Sequence, residues 1–492
     1  MAQQPAPAGR AGAKSDEDAY TPDPRRWKAL SVCLLVGFMS LLDVSIVNVA
    51  LPAIERGLGA TESALSWVVS GYALTFGLVL VPSGRIGDAL GRRTAFLGGL
   101  VLFTVASMAC GFAQGSGWLV GARLLQGVGG GLVMPQISGM IQQLFRGAER
   151  GKAFGMLGST IGLSTAVGPL LGGLLIQVFG AGEGWRWVFF VNLPIGIIAF
   201  LLALRLVPRA CAERDTEHRH TLDPFGVLLL GAGVLSVMLP LVQERQWPGQ
   251  GKWLLIPLGA LLLGGFVWWE RIYLRRGSEP LVDLRLFRDR SYSLGALLGL
   301  VYFAGFTTIF FIFTLFLQNG MRYTALQAGL TLTPFAIGSA VSAAVGGRFI
   351  TRVGRPLIAV GLLLVLIGLG GAALAVHEVQ NSSVGWSLAA PMLCAGLGSG
   401  LVISPNQTLA LRSVPVAQGG AAGGVIQTGQ RIGAAAGIAA VGAVFFAWLA
   451  SSHNWATALD YGLLTAVCFV AMALAVAVAD VVYGRRAARR EA

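Results

Sequence analysis

Residues 84–94 read GRIGDALGRRT, a charged segment punctuated by glycines that lies between two long apolar stretches. The pattern returns at residues 347–356, GRFITRVGRP, where Thr351 stands in the place that Asp88 takes in the first copy. A connector that only joined two helices would need a turn residue and some polar side chains. It would not need the same spacing of glycines and arginines at two places in the chain. The repeat therefore predicts a chain built from two related halves, of which only the first carries the acid.

The composition around these segments is that of a membrane protein. Hydrophobic residues make up 55% of the 492 residues and charged residues only 12%, about half the charged share of a soluble domain. Apolar stretches of about twenty residues, each long enough to cross a hydrocarbon core as a helix, recur along the chain. The predicted fold class is an all-α polytopic membrane protein. Its fourteen predicted spans are roughly 30–52, 64–83, 95–113, 118–143, 152–178, 187–207, 223–243, 253–273, 293–317, 326–349, 356–376, 387–410, 420–449 and 458–483.

Basic residues lie mostly on one side of this arrangement. Of the 36 Lys and Arg residues, 29 lie in the termini and the connections that share their side, and five lie in the opposite connections. By the positive-inside rule, we expect both termini to be cytoplasmic. Membrane orientation then explains the net charge of +13, and the scattered basic residues offer no surface for nucleic acid. The scarcity of lysine favours a bacterial source, so the predicted location is a bacterial cytoplasmic membrane.

The spans divide the chain into five parts. Residues 1–29 are rich in Pro and Ala, lack an apolar core and are predicted to be a disordered cytoplasmic tail. A six-helix bundle is predicted over residues 30–207 and a second one over residues 293–483. Between them, residues 208–292 are predicted to be a linker with two extra transmembrane helices, and residues 484–492 to be a basic cytoplasmic tail.

Four motifs, in order along the chain, resemble those of the major facilitator superfamily, and within it the fourteen-span drug/proton antiporter branch. Span 1 carries LLDVSIVNVALP at residues 41–52, and WRWVFFVNLPIG at residues 185–196 is also typical of the branch. The loop motif GxxxDRxGRR appears as Gly84, Asp88, Gly91, Arg92 and Arg93, with Ala89 where an arginine is usual. The span 4 motif LxxxRxxQGxG appears as Leu119, Arg123, Gln126, Gly127 and Gly129. The span 5 motif GxxxGPxxGG appears as Ser164, Gly168, Pro169, Gly172 and Gly173.

This resemblance covers the chain beyond residue 29. It implies the major facilitator fold, in which two six-helix bundles rock about a central cavity, here with two extra central spans. It also implies a membrane transporter that works by exchanging protons for its substrate.

Asp43 is the acid nearest the middle of a predicted span. Acids in the membrane interior are costly, face the bundle interior and are functional by default. We therefore expect Asp43 to carry the coupled proton and Arg123 of span 4 to change the proton affinity of Asp43 as helices move. Two alternatives stay open, namely that Asp43 is only a structural partner of Arg123, and that Arg123 snorkels to a membrane interface.

The resemblance implies that GRIGDALGRRT forms a cytoplasmic latch between the halves. The residues of this latch are Gly84, Asp88, Gly91, Arg92 and Arg93. Asp88 falls at the C-terminal end of span 2, where the helix dipole disfavours an anion. It therefore needs a partner, which Arg92 or Arg93, a basic residue of a neighbouring span, or the N-terminus of a second-half helix would supply. Gly91 is predicted to make the turn. The alternative is a loop whose arginines only set membrane orientation.

Span 5 is predicted to bend at Gly168 and Pro169. The proline removes one helix hydrogen bond, and Gly172 and Gly173 allow a neighbouring helix to pack closely. The resemblance adds that this bend belongs to exporters driven by proton exchange and seals the pathway between half-cycles. A plain packing kink is the alternative.

Polar and aromatic side chains within the spans are candidates for a substrate cavity, and they are Asn48, Gln126, Phe306, Phe310, Gln407, Gln430 and Arg431. The two phenylalanines have helical spacing and could stack apolar drugs, although such stripes also serve ordinary packing. Hydrogen bonds between helices explain the amides equally well. Arg431 either complements an anionic substrate or pairs with helix carbonyls, and the sequence does not choose.

The function that these features predict is proton-coupled efflux of amphipathic drugs or metabolites, cationic or neutral, by alternating access. The alternatives are a dedicated exporter of one endogenous secondary metabolite and a membrane sensor that does not transport. GAERGKA at residues 147–153 lacks the glycine spacing and the Ser/Thr of a phosphate loop, and the five cysteines are widely spaced. No catalytic residue, metal site or cofactor is predicted. The expected partners are the small molecule, protons and the lipid bilayer, without nucleic acid or a protein partner.

Overall fold

The computed structural model describes residues 22–180, 182–208, 223–244, 246–247, 249–379 and 383–491, and for Ala325, Thr351 and residues 484–491 it describes the backbone only. Throughout these ranges the chain is helical apart from turns and short connections. The predicted all-α fold class is confirmed.

The described ranges hold fourteen long helices, which coincide with the fourteen predicted spans. In chain order they are α1 Arg26–Leu58, α2 Glu62–Leu90, α3 Arg92–Gly111, α4 Ser116–Leu144, α5 Gly147–Phe179, α6 Gly184–Leu206, α7 Pro224–Val242, α8 Leu255–Arg275, α9 Arg290–Leu315, α10 Ala325–Val353, α11 Pro356–Glu378, α12 Val384–Ala410, α13 Gly419–Ser452 and α14 Trp455–Glu491. Two of them are interrupted by a single turn residue, α6 at Val191 and α12 at Leu388. A π-helical turn, Phe316–Gly320, extends α9.

Thirteen of these helices are long and apolar enough to cross a membrane. The exception is α4, which has 29 residues and is therefore as long as its neighbours. Its Arg123 and three buried glutamines make α4 more polar than the other helices, and these side chains lie inside the protein. The polar side chains of α4 are thus screened from lipid, while residues such as Trp118 and Leu125 are exposed.

Side-chain caps fix several helix starts. The hydroxyl of Thr61 accepts a hydrogen bond from Ala64 N at 3.3 Å, and Asp289 accepts one from Tyr292 N at 3.0 Å. Thr324 and Gln327 form a reciprocal capping box at the start of α10. Because the first amides of a helix have no partner within the helix, such caps stabilise the helix start.

Helices α1 to α6 form one group and α9 to α14 a second, and equivalent pairs of helices pack in the same way within each group. In the first group α2 packs on α4, α3 on α4, α1 on α5 and α1 on α6. The equivalent pairs of the second group, eight helices later in the chain, pack in the same way, namely α10 on α12, α11 on α12, α9 on α13 and α9 on α14.

Two seams join the groups, and they are also equivalent. Helix α5 packs on α10, and α2 packs on α13. The inserted helices α7 and α8 pack on each other, and α7 also contacts α2 and α13. The inserted pair therefore lies beside the α2–α13 seam.

Helix α1 begins, and helix α14 ends, on one face of the molecule, which we call the terminal side. Arg26 at the start of α1 forms an ion pair with Glu149 at the start of α5, 2.9 Å apart. Arg290 at the start of α9 lies 3.5 Å from Asp480 near the end of α14. Several boundaries differ from the prediction, because the helical hydrogen bonding of α1, α2 and α14 continues past the apolar segments. Helix α2 runs through Asp88 to Leu90, so most of the segment predicted to be a loop is helical. Helix α1 begins at Arg26, inside the predicted N-terminal tail, and α14 continues through the predicted C-terminal tail to Glu491.

Candidate functional site

The carboxylate of Asp43 lies in the middle of α1 and is fully buried. Its Oδ2 accepts a hydrogen bond from Arg123 Nη1 at 2.5 Å. Its Oδ1 accepts from Gln126 Nε2 at 2.8 Å and from Asn192 Nδ2 at 3.0 Å. Helices α1, α4 and α6 are therefore tied together through one carboxylate.

Arg123 uses its remaining donors and its flat face inside the same bundle. Its Nε donates to Val68 O at 3.0 Å, and its Nη1 also donates to Gln126 Oε1 at 2.7 Å. The guanidinium lies 4.2 Å from the centroid of the Tyr72 ring, an arrangement that stabilises a cation. The residue is 1% exposed, so Arg123 does not snorkel to a membrane interface.

Sequence reasoning missed Asn192 and Ser107 of this network. Asn192 Nδ2 also donates to Ser107 Oγ at 3.0 Å, and Ser107 donates to Phe189 O at 2.9 Å. The available signal was an amide within WRWVFFVNLPIG, an otherwise apolar stretch. Buried amides without a partner are costly in the membrane, so Asn192 needed an acceptor, but the sequence does not place α6 beside Asp43.

Asp88, the acid of the repeated loop, contacts both halves of the molecule. Its Oδ1 accepts from Arg92 Nη2 at 2.8 Å and from Gly420 N at 3.1 Å, and its Oδ2 accepts from Ala421 N at 2.9 Å. Gly420 and Ala421 belong to the first turn of α13. The positive end of α13 thus offsets the unfavourable position of Asp88 at the negative end of α2.

Arg92 extends this connection between the halves. Besides Asp88, its guanidinium donates to Gly139 O at the end of α4 and to Val416 O, just before α13. Arg93 does not take part, because it donates to Leu204 O of α6 at 2.6 Å. Gly91 makes the turn between α2 and α3 with φ +98°, a conformation that favours glycine.

Close backbone contact accompanies these bonds. A Cβ added to Gly84 would lie 2.3 Å from Gly420 O, so α2 and α13 approach closely only because both positions are glycine. In the second copy, a Cβ added to Gly347 of α10 would lie 2.5 Å from Gly151 O of α5. Both seams are therefore closed on the terminal side by equivalent glycines.

Arg355, the counterpart of Arg92, stays within its own half. It donates to Ser291 Oγ at 2.7 Å and forms an ion pair with Asp480 of α14, which it shares with Arg290. Burial and the neighbouring Arg290 lower the pKa of the Arg355 guanidinium. Unlike the contacts of Arg92, these contacts of Arg355 lie within one half, and the one-sided latch stays a prediction.

The predicted bend in α5 faces α1. A Cβ added to Gly168 would overlap Ser45 Oγ at 1.8 Å, and one added to Gly172 would lie 3.0 Å from Ile46 Cγ1. Gly173 has open space around it and packs on no neighbour. Only two of the three glycines therefore permit the close contact between α1 and α5.

A cavity of about 240 Å³ separates the halves away from the terminal side. Helices α1 and α5 line it from the first half and α9 and α10 from the second, and the lining includes Asn48, Pro52, Pro169, Phe310 and Gln318. Of the predicted cavity residues, this cavity brings together Asn48 and Phe310.

The other predicted cavity residues lie elsewhere. Gln126 belongs to the Asp43 network, and Phe306 packs among aromatic rings of the second half, 6.0 Å from the centroid of Phe335. Gln407 Nε2 donates to Ser138 Oγ of α4 at 3.1 Å, which bridges the halves. Gln430 lies against α9, 3.5 Å from a Cβ added to Gly299.

Arg431 lies on α13 with its guanidinium 4.4 Å from the centroid of the Phe76 ring of α2. It thus faces the seam between the halves. Within the described ranges, no group of three or more His, Cys, Asp or Glu side chains is arranged to hold a metal ion.

A family model described as Major Facilitator Superfamily matches residues 33–438. The probable actinorhodin transporter of Streptomyces coelicolor is 37% identical over 445 residues, covering 89% of this chain and 76% of the relative. Multidrug resistance protein Stp of Mycobacterium tuberculosis is 34% identical, covering 84% of this chain and 75% of the relative. The tetracenomycin C resistance and export protein of Streptomyces glaucescens is 32% identical, covering 86% of this chain and 77% of the relative.

Solved structures share the fold. The human organic anion transporter MFSD10 superposes with a TM-score of 0.66 at 15% identity, covering 92% of this chain and all of the other. The proton:xylose symporter XylE superposes with a TM-score of 0.65 at 15% identity, covering 91% of this chain and 94% of the other. At this identity the likeness concerns architecture alone.

Proposed function

Because this chain belongs to the major facilitator superfamily, we propose that it is a proton-coupled antiporter that exports drug-like small molecules through a bacterial cytoplasmic membrane. A member of this family is a transporter and not an enzyme. Relatives along most of its length are named as antibiotic exporters and resistance proteins, and this chain is accordingly a multi-pass exporter of drugs or antibiotics. Proton coupling, the fourteen-span antiporter branch and the orientation of the termini are the proposed parts.

The observation that supports proton coupling is the position of Asp43, an acid buried inside a membrane helix. Its carboxylate is fully buried in the middle of a membrane helix and is held by donors from α4 and α6. Protonation removes the charge that attracts Arg123, so the tie between α1 and α4 weakens when a proton binds. Asn48, which lines the cavity between the halves, lies five residues from Asp43, about 7.5 Å along the helix. The cavity is the proposed route for protons.

The proposed orientation places the terminal side in the cytoplasm, by the positive-inside rule. The structure then corresponds to a state closed to the cytoplasm by the Asp88 latch and the glycine contacts, with cavities on the external side. Rocking of the halves would break the latch and open the seams to the cytoplasm. Substrate would enter there as Asp43 gives up its proton, and the next external proton would accompany its release.

Export from everted membrane vesicles tests the coupling. With Asp43→Asn, we expect accumulation of a fluorescent drug to lose its dependence on the pH gradient, because the amide cannot exchange a proton at this site. Asp460→Asn is the matched control, since Asp460 lies in the first turns of α14 and outside the network. Accumulation by Asp43→Asn that still follows the pH gradient as in the wild type would contradict the role of Asp43.

A further inference from the structure

Arg431 is a cation in the membrane interior that has no anionic partner among the residues that the structure describes. It is partly buried in the middle of α13. Within the described residues, its guanidinium has neither an ion pair nor a hydrogen bond, and the Phe76 ring lies against it at 4.4 Å. Arg123, the other arginine inside a span, has an acid, an amide and a carbonyl as acceptors. Because a cation without an acceptor is unfavourable in the membrane interior, Arg431 needs a ligand that the described residues do not supply.

Two described acids of the first half are otherwise engaged, and a third is distant. The Asp43 carboxylate is surrounded by Arg123, Gln126 and Asn192, and the Asp88 carboxylate accepts from Arg92 and the first turn of α13. Glu62 lies at the far end of α2, about 21 Å along the helix from Phe76. None of these acids is available to neutralise Arg431.

A second cavity lies farther along α13 from this arginine. It has a volume of about 490 Å³ and lies between the halves. Its lining includes Ser66 of α2, Leu241 of α7, Phe311 of α9 and Ile438 and Gly442 of α13, together with the acids Glu62 and Glu244. This volume is within the range of sites for drug-sized ligands.

The helical repeat connects Arg431 to that cavity. Ile438 and Gly442 lie seven and eleven residues beyond Arg431, so the three positions share one face of α13. A Cβ added to Gly77 of α2 would lie 3.7 Å from the Arg431 Cβ and 3.2 Å from Met238 Sδ of the inserted helix α7. The inserted helix therefore comes close to the part of α2 that Arg431 faces.

We propose that Arg431 binds the anionic group of the exported substrate, which is an amphipathic organic acid such as an aromatic carboxylate. The apolar body lies in the second cavity against α7 and α9, and the acid lies at the guanidinium, whose in-plane donors stay free when its face stacks on Phe76. This proposal rests on the proposed export function. It replaces the expectation of a cationic or neutral substrate and gives the inserted helix α7 a place in the substrate cavity.

Binding without a proton gradient tests the charge preference separately from transport. The purified full chain in lipid nanodiscs is titrated with three fluorescent probes of one shape, namely 1-pyrenebutyrate, 1-pyrenebutanol and 1-pyrenebutylammonium. We expect the carboxylate to bind at least about tenfold more tightly than the alcohol, and the ammonium to bind most weakly, because a charge-assisted hydrogen bond to arginine is made only by the first.

Substitution of the arginine identifies the residue responsible. In Arg431→Gln the preference for the carboxylate over the alcohol should disappear, and in Arg431→Lys part of it should return. The matched control is Arg271→Gln at the exposed end of α8, which should keep the wild-type preference. Since affinity for 1-pyrenebutanol reports whether each variant is folded, loss of the preference alone assigns the charge recognition to Arg431.

Three results would overturn the proposal: absence of carboxylate binding by the wild type, equal or tighter binding of the ammonium probe, or a carboxylate preference that survives in Arg431→Gln. Failure of proton-coupled export in everted vesicles, with the binding preference intact, would instead contradict the proposed transport mechanism.

Discussion

Asp43 and Arg123 form a buried ion pair in which each side chain has several partners. The carboxylate accepts three hydrogen bonds, and the guanidinium lies on the Tyr72 ring while donating to a carbonyl and an amide. A buried ion pair is expensive to desolvate, so its stability depends on such additional bonds. The arrangement is therefore sensitive to the loss of either member.

A double-mutant cycle measures this dependence. Arg123→Met leaves the Asp43 carboxylate buried without its cation, and we expect it to lower the free energy of unfolding by about 3–5 kcal/mol. Adding Asp43→Asn removes the stranded charge and should recover part of that loss, because the amide can still bond to Gln126 and Asn192. The readout is thermal unfolding of the purified protein in detergent. A double variant as unstable as the sum of the two single variants would show that the charges do not interact.

At the scale of helices, the junction of α2 with α13 joins electrostatics to close packing. Asp88 contacts the first turn of α13 through two backbone amides, and Gly84 lets the two backbones meet one turn earlier. The equivalent junction of α10 with α5 has the glycine contact but no acid at Thr351. The latch therefore depends on one carboxylate and on two glycine contacts.

Asp88→Asn tests the electrostatic part of the latch. The amide keeps the shape of the side chain but loses the charge that attracts Arg92 and the positive end of α13, so we expect the rate of proton-driven export to fall about tenfold or more. Glu149→Gln is the matched control on the terminal side. Glu149 is partly exposed in its ion pair with Arg26, and such a pair contributes little. Equal export rates in both variants would show that Asp88 does not act as a latch and that the arginines of this segment only set membrane orientation.

Gly84→Ala tests the packing part. The new methyl group would lie 2.3 Å from Gly420 O, so α2 and α13 must move apart. Spin labels at exposed Leu90 of α2 and Val353 of α10, both at the terminal side, should then report longer distances between the halves. Gly98→Ala is the control, because no atom lies within 4 Å of its added Cβ. Unchanged distances in Gly84→Ala would mean that these glycines do not limit closure.

At the scale of the molecule, the two seams differ between their ends. Glycine contacts close both seams on the terminal side, and the Asp88 latch adds to the α2–α13 seam alone. Cavities of about 240 and 490 Å³ separate the halves away from that side. Such a difference between the two ends of the seams is what alternating access requires. The inserted helix α7 lines the cavity of about 490 Å³ but not the one of about 240 Å³, so the two cavities are lined by different sets of helices.

The orientation of the molecule can be measured by cysteine labelling from either side. In a chain whose native cysteines are replaced by serine, a membrane-impermeant maleimide should label Arg56→Cys in intact cells, because the opposite connections are expected to be external. Arg412→Cys should be labelled only in inside-out vesicles. Both positions are exposed in the structure, so the difference reports sidedness. The reverse pattern would contradict the proposed cytoplasmic location of the termini.

Much of the fold could be predicted from the sequence. Each span must be apolar enough to cross the membrane on its own, so apolar length predicted the number and order of α1 to α14, with helix ends that differ by up to eight residues. The repeated motif predicted the related packing of the two groups. The ends were less accurate, because the helical hydrogen bonding of α2 and α14 continues past their apolar segments to Leu90 and Glu491. The Asp43–Arg123 pair was predicted as an alternative, because a buried acid and a buried arginine of neighbouring helices need each other.

The sequence by itself determined the number of helices, the two related halves and the residues that carry charge into the membrane. Hydropathy, charge asymmetry and motif spacing are local properties, and each can be read along the chain. Only the tertiary structure decided which groups meet: Asn192 with Asp43, the first turn of α13 with Asp88, and Arg431 with Phe76 and no acid. The reason is physical, because these contacts depend on how helices far apart in the chain are ordered and rotated around the bundle, and many arrangements satisfy the same pattern of apolar and polar residues.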